Sequence, residues 1–133
     1  MQINLEEYNS TTYKIIGCAL KVHSTLGNGF QEVIYQRALE IEFQNSDLFF
    51  EREKTMSILY EGKQIGDRRA DFLVEPKVLV ELKALTKLED VHLAQTINSL
   101  EAFGLQVALL INFGAKKLEH KRLLNSKTFY HEK

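Results

Sequence analysis

Apolar and polar positions along the chain alternate with two different periods. Ile15, Ala19, Val22 and Leu26 recur at helical spacing, after the N-cap candidates Asn9-Ser10-Thr11-Thr12 and before Gly27, which suits a C′ position. A first helix is therefore expected over about 11–26. After Gly27-Asn28-Gly29 the helical period resumes from about Phe30 to Gln44, with Ile34, Ala38 and Ile41 on one stripe and Glu32, Tyr35 and Leu39 on the next. Beyond Asn45-Ser46-Asp47 the pattern becomes strand-like: Leu48 to Glu53 and Met56 to Tyr60 read as two short strands, and a glycine-bearing turn, Glu61 to Asp67, leads into the strand that carries Asp71. Glu75-Pro76-Lys77 supplies a reversal, because proline presets a turn φ and cannot donate to a ladder. Val78, Val80 and Leu82 then alternate with Leu79, Glu81 and Lys83 in a further strand, so the middle of the chain reads as a meander of three or four short strands. Lys87 to Phe103 returns to helical period, with Leu93, Ile97 and Leu100 on one side and His92, Gln95 and Ser99 on another stripe, and Gly104 closes it. Gln106 to Phe113 is a continuous apolar strand of the kind buried on both faces. Reached through a helix from Val78–Lys83, it predicts a β-α-β crossover and a parallel pair. The basic run after Gly114, Lys116 to Arg122, is a last short strand or a loop. The expected architecture is α/β, a three-layer-like sandwich with a mixed central sheet flanked by helices.

Composition narrows the class. With 133 residues, 44% apolar and 26% charged, residues 1–133 are expected to form one domain with one sizeable core. The apolar run Val107-Ala108-Leu109-Leu110-Ile111 is far short of a membrane span. The polar start Met1-Gln2-Ile3-Asn4-Leu5-Glu6-Glu7 lacks the basic-then-apolar order of a signal peptide, so a cytoplasmic protein with no membrane association is expected. Cys18, the only cysteine, lies in a helical apolar pattern and excludes a disulfide framework or a thiolate metal site. A net charge of −1 gives no global attraction to nucleic acid, and binding of that kind requires a local basic patch.

The candidate chemistry lies on the hairpin. Glu81 and Lys83 project from the same strand face, and antiparallel pairing brings Asp71 level with the far strand beyond Glu81, within reach of its neighbourhood. Two carboxylates converging on one sheet face are costly unless compensated, and a divalent cation is the usual compensator. The alternative is a solvated row of ion pairs on an open sheet face, worth little in energy. Glu32, in the first turn of its helix, is accounted for by the helix dipole alone. His23, near an apolar stripe, reads as a helix-packing residue.

The run Gly29-Phe30-Gln31-Glu32-Val33-Ile34-Tyr35 resembles the G-x-x-E-x-x-Y signature of a family of small bacterial proteins, and Asp71 with Glu81-Leu82-Lys83 resembles the core of the PD-(D/E)xK nuclease superfamily. The likeness runs from about His23 to Arg122 and includes Arg69-Ala70-Asp71, the Gln95 helix and Leu110-Ile111-Asn112-Phe113-Gly114. It implies a restriction-endonuclease-like core in which Asp71 and Glu81 bind Mg²⁺ or Mn²⁺, with the Leu82 carbonyl as a further oxygen ligand and Glu32 completing the metal site. Lys83 would stand beside the attacking water, and Gln95 matches a glutamine on the helix after the E-x-K strand. One departure is Ser99, where that nuclease branch carries an aromatic four residues after the glutamine. The implied partner is nucleic acid, DNA first, and Lys116, Lys117, Lys121 and Arg122 would contact its phosphates. A catalytically idle domain that binds nucleic acid or a protein is the alternative. A homodimer stays open, as do DNA against RNA and endo- against exonucleolytic action.

Overall fold

The computed structural model describes residues 4–125, and the Met1-Gln2-Ile3 part of the polar start lies outside the described residues. The elements follow in the order α1 (Glu6–Leu26), α2 (Glu32–Asn45), β1 (Phe50–Tyr60), β2 (Lys63–Val74), β3 (Val78–Lys83), α3 (Asp90–Phe103), β4 (Val107–Asn112) and β5 (Glu119–Leu124). Their five strands form one sheet in the order β1-β2-β3-β4-β5. β3 and β4 run parallel while the other neighbours are antiparallel, so the expected crossover through α3 is present.

The two faces of the sheet hold two apolar clusters. On one side Ile15, Ala19 and Val22 of α1 and Tyr35, Leu39 and Phe43 of α2 pack against Phe72, Val80, Leu82, Leu109 and Ile111. On the other, Leu100 and Phe103 of α3 close over Ala70, Leu79 and Ala108. Every residue of β4 is buried, as a strand covered on both faces must be. The result is the expected mixed sheet flanked by helices. Among the described residues no helix is long and apolar enough to cross a membrane.

Several boundaries depart from the sequence pattern. α1 begins at Glu6, before the cap candidates, and Thr12 turns its hydroxyl back to the Tyr8 and Asn9 carbonyls from inside the helix. Asn4 Oδ1 accepts the Glu6 N–H at 3.1 Å, and Glu6 and Glu7 complement the dipole there. In α2 the stripe that meets the sheet is Tyr35, Leu39 and Phe43, while Ile34 and Ile41 face solvent. The two short strands expected between Leu48 and Tyr60 are a single strand. Its ladder to β2 continues through Arg52↔Phe72 and Lys54↔Ala70 on either side of Glu53, whose left-handed φ of 57° deforms the strand without ending it. β1 and β2 are joined at Glu61-Gly62, both at positive φ, the type I′ geometry whose twist matches a hairpin. α3 starts at Asp90 rather than near Lys87, behind a capping box of Glu89 and His92. The latter part of the basic run enters the edge strand β5, paired antiparallel to β4, and Lys116 and Lys117 precede it.

Candidate active site

The β2–β3 ladder pairs Val74 with Val78, Leu73 with Leu79 and Phe72 with Val80, and one further step sets Asp71 level with Glu81 rather than beyond it. There the backbone pairing gives way to a side chain: the Leu82 N–H donates to Asp71 Oδ2 at 2.8 Å. Ala70 and Phe72, two residues apart, belong to different apolar clusters, so β2 turns over at Asp71. That turn carries the carboxylate out of the regular alternation and under α2, where Gln36 Nε2 donates to Asp71 Oδ1 at 3.1 Å. Both oxygens of Asp71 are thereby oriented.

Glu81 is the electrostatically unusual group. Burial, then the charge of Asp71 and a hydrogen bond with it, push the Glu81 carboxyl up to about 8, against the relief given by Lys83 and Arg68. Its Oε1 is buried with no hydrogen-bond partner. Asp71 is raised too, first by burial, although the Leu82 amide, the bond to Glu81, Lys83 and Arg69 all favour its charged form. Glu32 is raised by burial and by the Asp71 charge, and Lys83 opposes this. Lys83 thus lies within electrostatic reach of Glu32, Asp71 and Glu81, and Glu32 joins the neighbourhood that its place at the start of α2 left undecided.

Two shallow clefts flank the acids. One, of about 270 Å³, is lined by Arg68, Arg69, Glu81, Lys83, Gln95, Thr96 and Ser99. The other, of about 220 Å³, is lined by Glu32, Val33, Gln36, Glu53, Arg69 and Asp71. Gln95 therefore stands on the wall of the Glu81 and Lys83 cleft with its side chain exposed. Both clefts fall below the roughly 300–1,000 Å³ of pockets that enclose small molecules.

The sequence reading missed Arg68 and Gln36, and it quoted Arg69 in the Arg69-Ala70-Asp71 run without giving it a role. Arg68 spans from β2 to α3, donating to the Gln95 carbonyl at 3.3 Å, Ser99 Oγ at 2.9 Å and Asn98 Oδ1 at 2.8 Å. Ser99, the departure from the related aromatic position, is a buried hydroxyl that receives this guanidinium. The tyrosine of the G-x-x-E-x-x-Y run holds the fold together near the site. Tyr35 Oη donates to the Gly27 carbonyl at 2.6 Å and accepts the Phe30 N–H, and its ring stacks on Phe113 at 4.7 Å. His23 Nε2 lies 2.9 Å from the Ala115 carbonyl, which bears out its packing role.

The four cations of the basic run do not line either cleft. Lys121 and Arg122 lie on β5, separated from β3 by β4, and Arg122 donates to Asn9 Oδ1 of α1 at 2.8 Å. Lys116 and Lys117 are exposed on the turn before β5.

Hard oxygen donors are what Asp71 and Glu81 offer, and an unpartnered buried oxygen beside a second carboxylate is a place where a cation relieves an electrostatic cost. Among the described residues no three His, Cys, Asp or Glu side chains are gathered tightly enough to cage an ion. Two half-buried carboxylates at the edge of the clefts suit Mg²⁺, which keeps several waters and takes one or two protein carboxylates together with substrate phosphates.

A sequence model described as the PD-(D/E)XK nuclease superfamily matches residues 9–123. No curated protein matches the chain. Among solved structures, one described as the crystal structure of SSO0001 is 17% identical with a TM-score of 0.56, covering 89% of this chain and 60% of that one. An alkaline exonuclease, LHK-Exo from Laribacter hongkongensis, is 12% identical over 70% of this chain and 55% of that chain, with a TM-score of 0.49. The chain thus spans about 60% or less of the length of these proteins, and the likeness to the first is one of fold.

Proposed function

Since the chain belongs to the PD-(D/E)XK nuclease superfamily, we propose that it is a metal-dependent nuclease hydrolysing phosphodiester bonds of nucleic acid, with DNA as the substrate and Mg²⁺ or Mn²⁺ held by Asp71 and Glu81. Within the superfamily we assign it to the G-x-x-E-x-x-Y proteins through Gly29, Glu32 and Tyr35. The observation that carries the reading is the buried Glu81 Oε1 beside Asp71, a carboxyl oxygen that finds no hydrogen-bond partner in the protein alone.

A bound divalent ion there supplies an acidified water and neutralises charge on the phosphoryl oxygens. The protein's own groups do the rest. The Leu82 amide and Gln36 fix the direction of the Asp71 lone pairs. Lys83, a compact cation with no lone pair while charged, orients the water or meets the charge that builds on the phosphate. Glu32 adds an acceptor from the α2 side, and Gln95 offers an amide on the opposite wall. Lys116, Lys117 and Lys121 hold outlying phosphates. Arg122 contributes there only by leaving Asn9.

The test is cleavage of labelled single- and double-stranded DNA and RNA with Mg²⁺ or Mn²⁺, wild type beside Glu81→Gln. Cutting by the wild type alone, abolished by chelation, supports the reading. Nucleic-acid binding without cutting under every condition returns the domain to the idle binding module.

A further inference from the structure

We infer that Arg69 grips a backbone phosphate of the substrate, an inference that rests on the nuclease reading and assigns a contact within it. Of the residues lining the two clefts, Arg69 alone belongs to both. A strand passing from the Lys83 side of the acids to the Glu32 side therefore runs past its guanidinium. Glu32, Glu53, Asp71 and Glu81 surround that path, and a phosphate entering among four carboxylates needs a cation besides Lys83.

The neighbouring arginine does not meet that need. Arg68 already has three acceptors on α3 and serves as a brace between β2 and that helix. Among the described residues Arg69 has one ion pair, with Glu53 at 3.7 Å and side chains 65% and 40% exposed, and its charge also reaches Asp71. An exposed pair of this kind is worth little. A phosphate offers the planar guanidinium a bidentate partner of better geometry, so exchanging Glu53 for phosphate costs almost nothing. Adjacent arginines on one strand thus divide two roles, one structural and one for the ligand.

The experiment measures binding of short labelled single-stranded and duplex DNA by the full chain in chelator across a salt series, together with steady-state cleavage in Mg²⁺. Arg69→Ala is expected to weaken binding on the order of tenfold. It should also lower the salt slope by roughly one and raise KM more than it lowers kcat. Its melting temperature should stay at the wild-type value, whereas Arg68→Ala melts lower. Arg69→Lys should restore the salt slope but not the full affinity, because a point charge cannot reproduce the fork. If the wild type binds and cuts and Arg69→Ala matches it in affinity, slope and KM, the contact is refuted while the nuclease reading stands. A wild type that neither binds nor cuts overturns both.

Discussion

Leu82 and Asp71 are joined by a backbone-to-carboxylate hydrogen bond of 2.8 Å, so the acid proposed to hold a metal also ends the β2–β3 ladder. Its two roles separate by substitution. Asp71→Asn keeps an acceptor for the Leu82 amide and should fold with stability close to wild type while losing Mn²⁺ binding in titration calorimetry. Asp71→Ala leaves that amide and Gln36 without their acceptor, and should lose about 1–3 kcal/mol in urea denaturation as well. Equal Mn²⁺ binding by wild type and both variants removes Asp71 from the metal site.

The raised Glu81 carboxyl should make the metal-free protein lose stability between mildly acidic and neutral pH. Its carboxyl is raised by burial and by Asp71 from 4.5 to about 8. The folded chain therefore keeps a proton that the unfolded chain has released, and stability falls as pH rises from about 4.5 to about 8. Asp71, raised in the same direction, steepens the fall. Urea denaturation in chelator from about pH 5 to 8 should show this slope, and Glu81→Gln should flatten much of it. Mn²⁺ affinity should run the opposite way, strengthening over the same window as the carboxyls ionise.

Lys83→Ala is expected to reduce metal-dependent cleavage by roughly two to three orders of magnitude. Because the ammonium offers no lone pair to an ion, Mn²⁺ binding should persist, slightly tightened by loss of a neighbouring cation. Cleavage by Lys83→Ala at the wild-type rate reduces the lysine to a neighbour of Glu81.

The end of β3 is held by a clamp that offers a test of stability without touching the acids. Asn112 is fully buried, accepting from the Leu85 and Gly114 amides and donating to the Leu85 carbonyl and Glu119 Oε1. Gly114 passes so close to Ala84 and Leu85 that an added Cβ would collide with their backbone atoms. Asn112→Ala should cost on the order of 3 kcal/mol through buried groups left unpaired. Gly114→Ala should cost about 1–3 kcal/mol by overpacking against backbone that has little room to yield. Thermal denaturation of both variants checks this, and a wild-type melting temperature for Gly114→Ala refutes the close approach.

The parts of the structure legible in the sequence are those set by a single local period. Val107–Ile111 is apolar without a break, which is possible only for a strand covered twice, and so the parallel crossover could be read. Glu81 and Lys83 share a face because strands alternate. The face of α2 was harder to choose: Ile34, Ala38 and Ile41 are as regularly spaced as Tyr35, Leu39 and Phe43, and only the fit of Tyr35 on Phe113 and of Phe43 on Phe72 decides between them. Arg68 was illegible for a different reason. Its acceptors lie on α3, about 27–31 residues away, and no local pattern marks a residue whose partners arrive through a crossover.

The hairpin and the crossover also differ in when they form. Asp71 and Glu81 come together once a tight turn closes, an event of microseconds. Asn112, which clamps the loop after Lys83, is translated 31 residues after Glu81. At roughly 5–20 residues per second, that interval is roughly two to six seconds. During those seconds a nascent chain has both acids in sequence but not the clamp beyond its lysine, so the loop after Lys83 is the last part of this neighbourhood to be fixed.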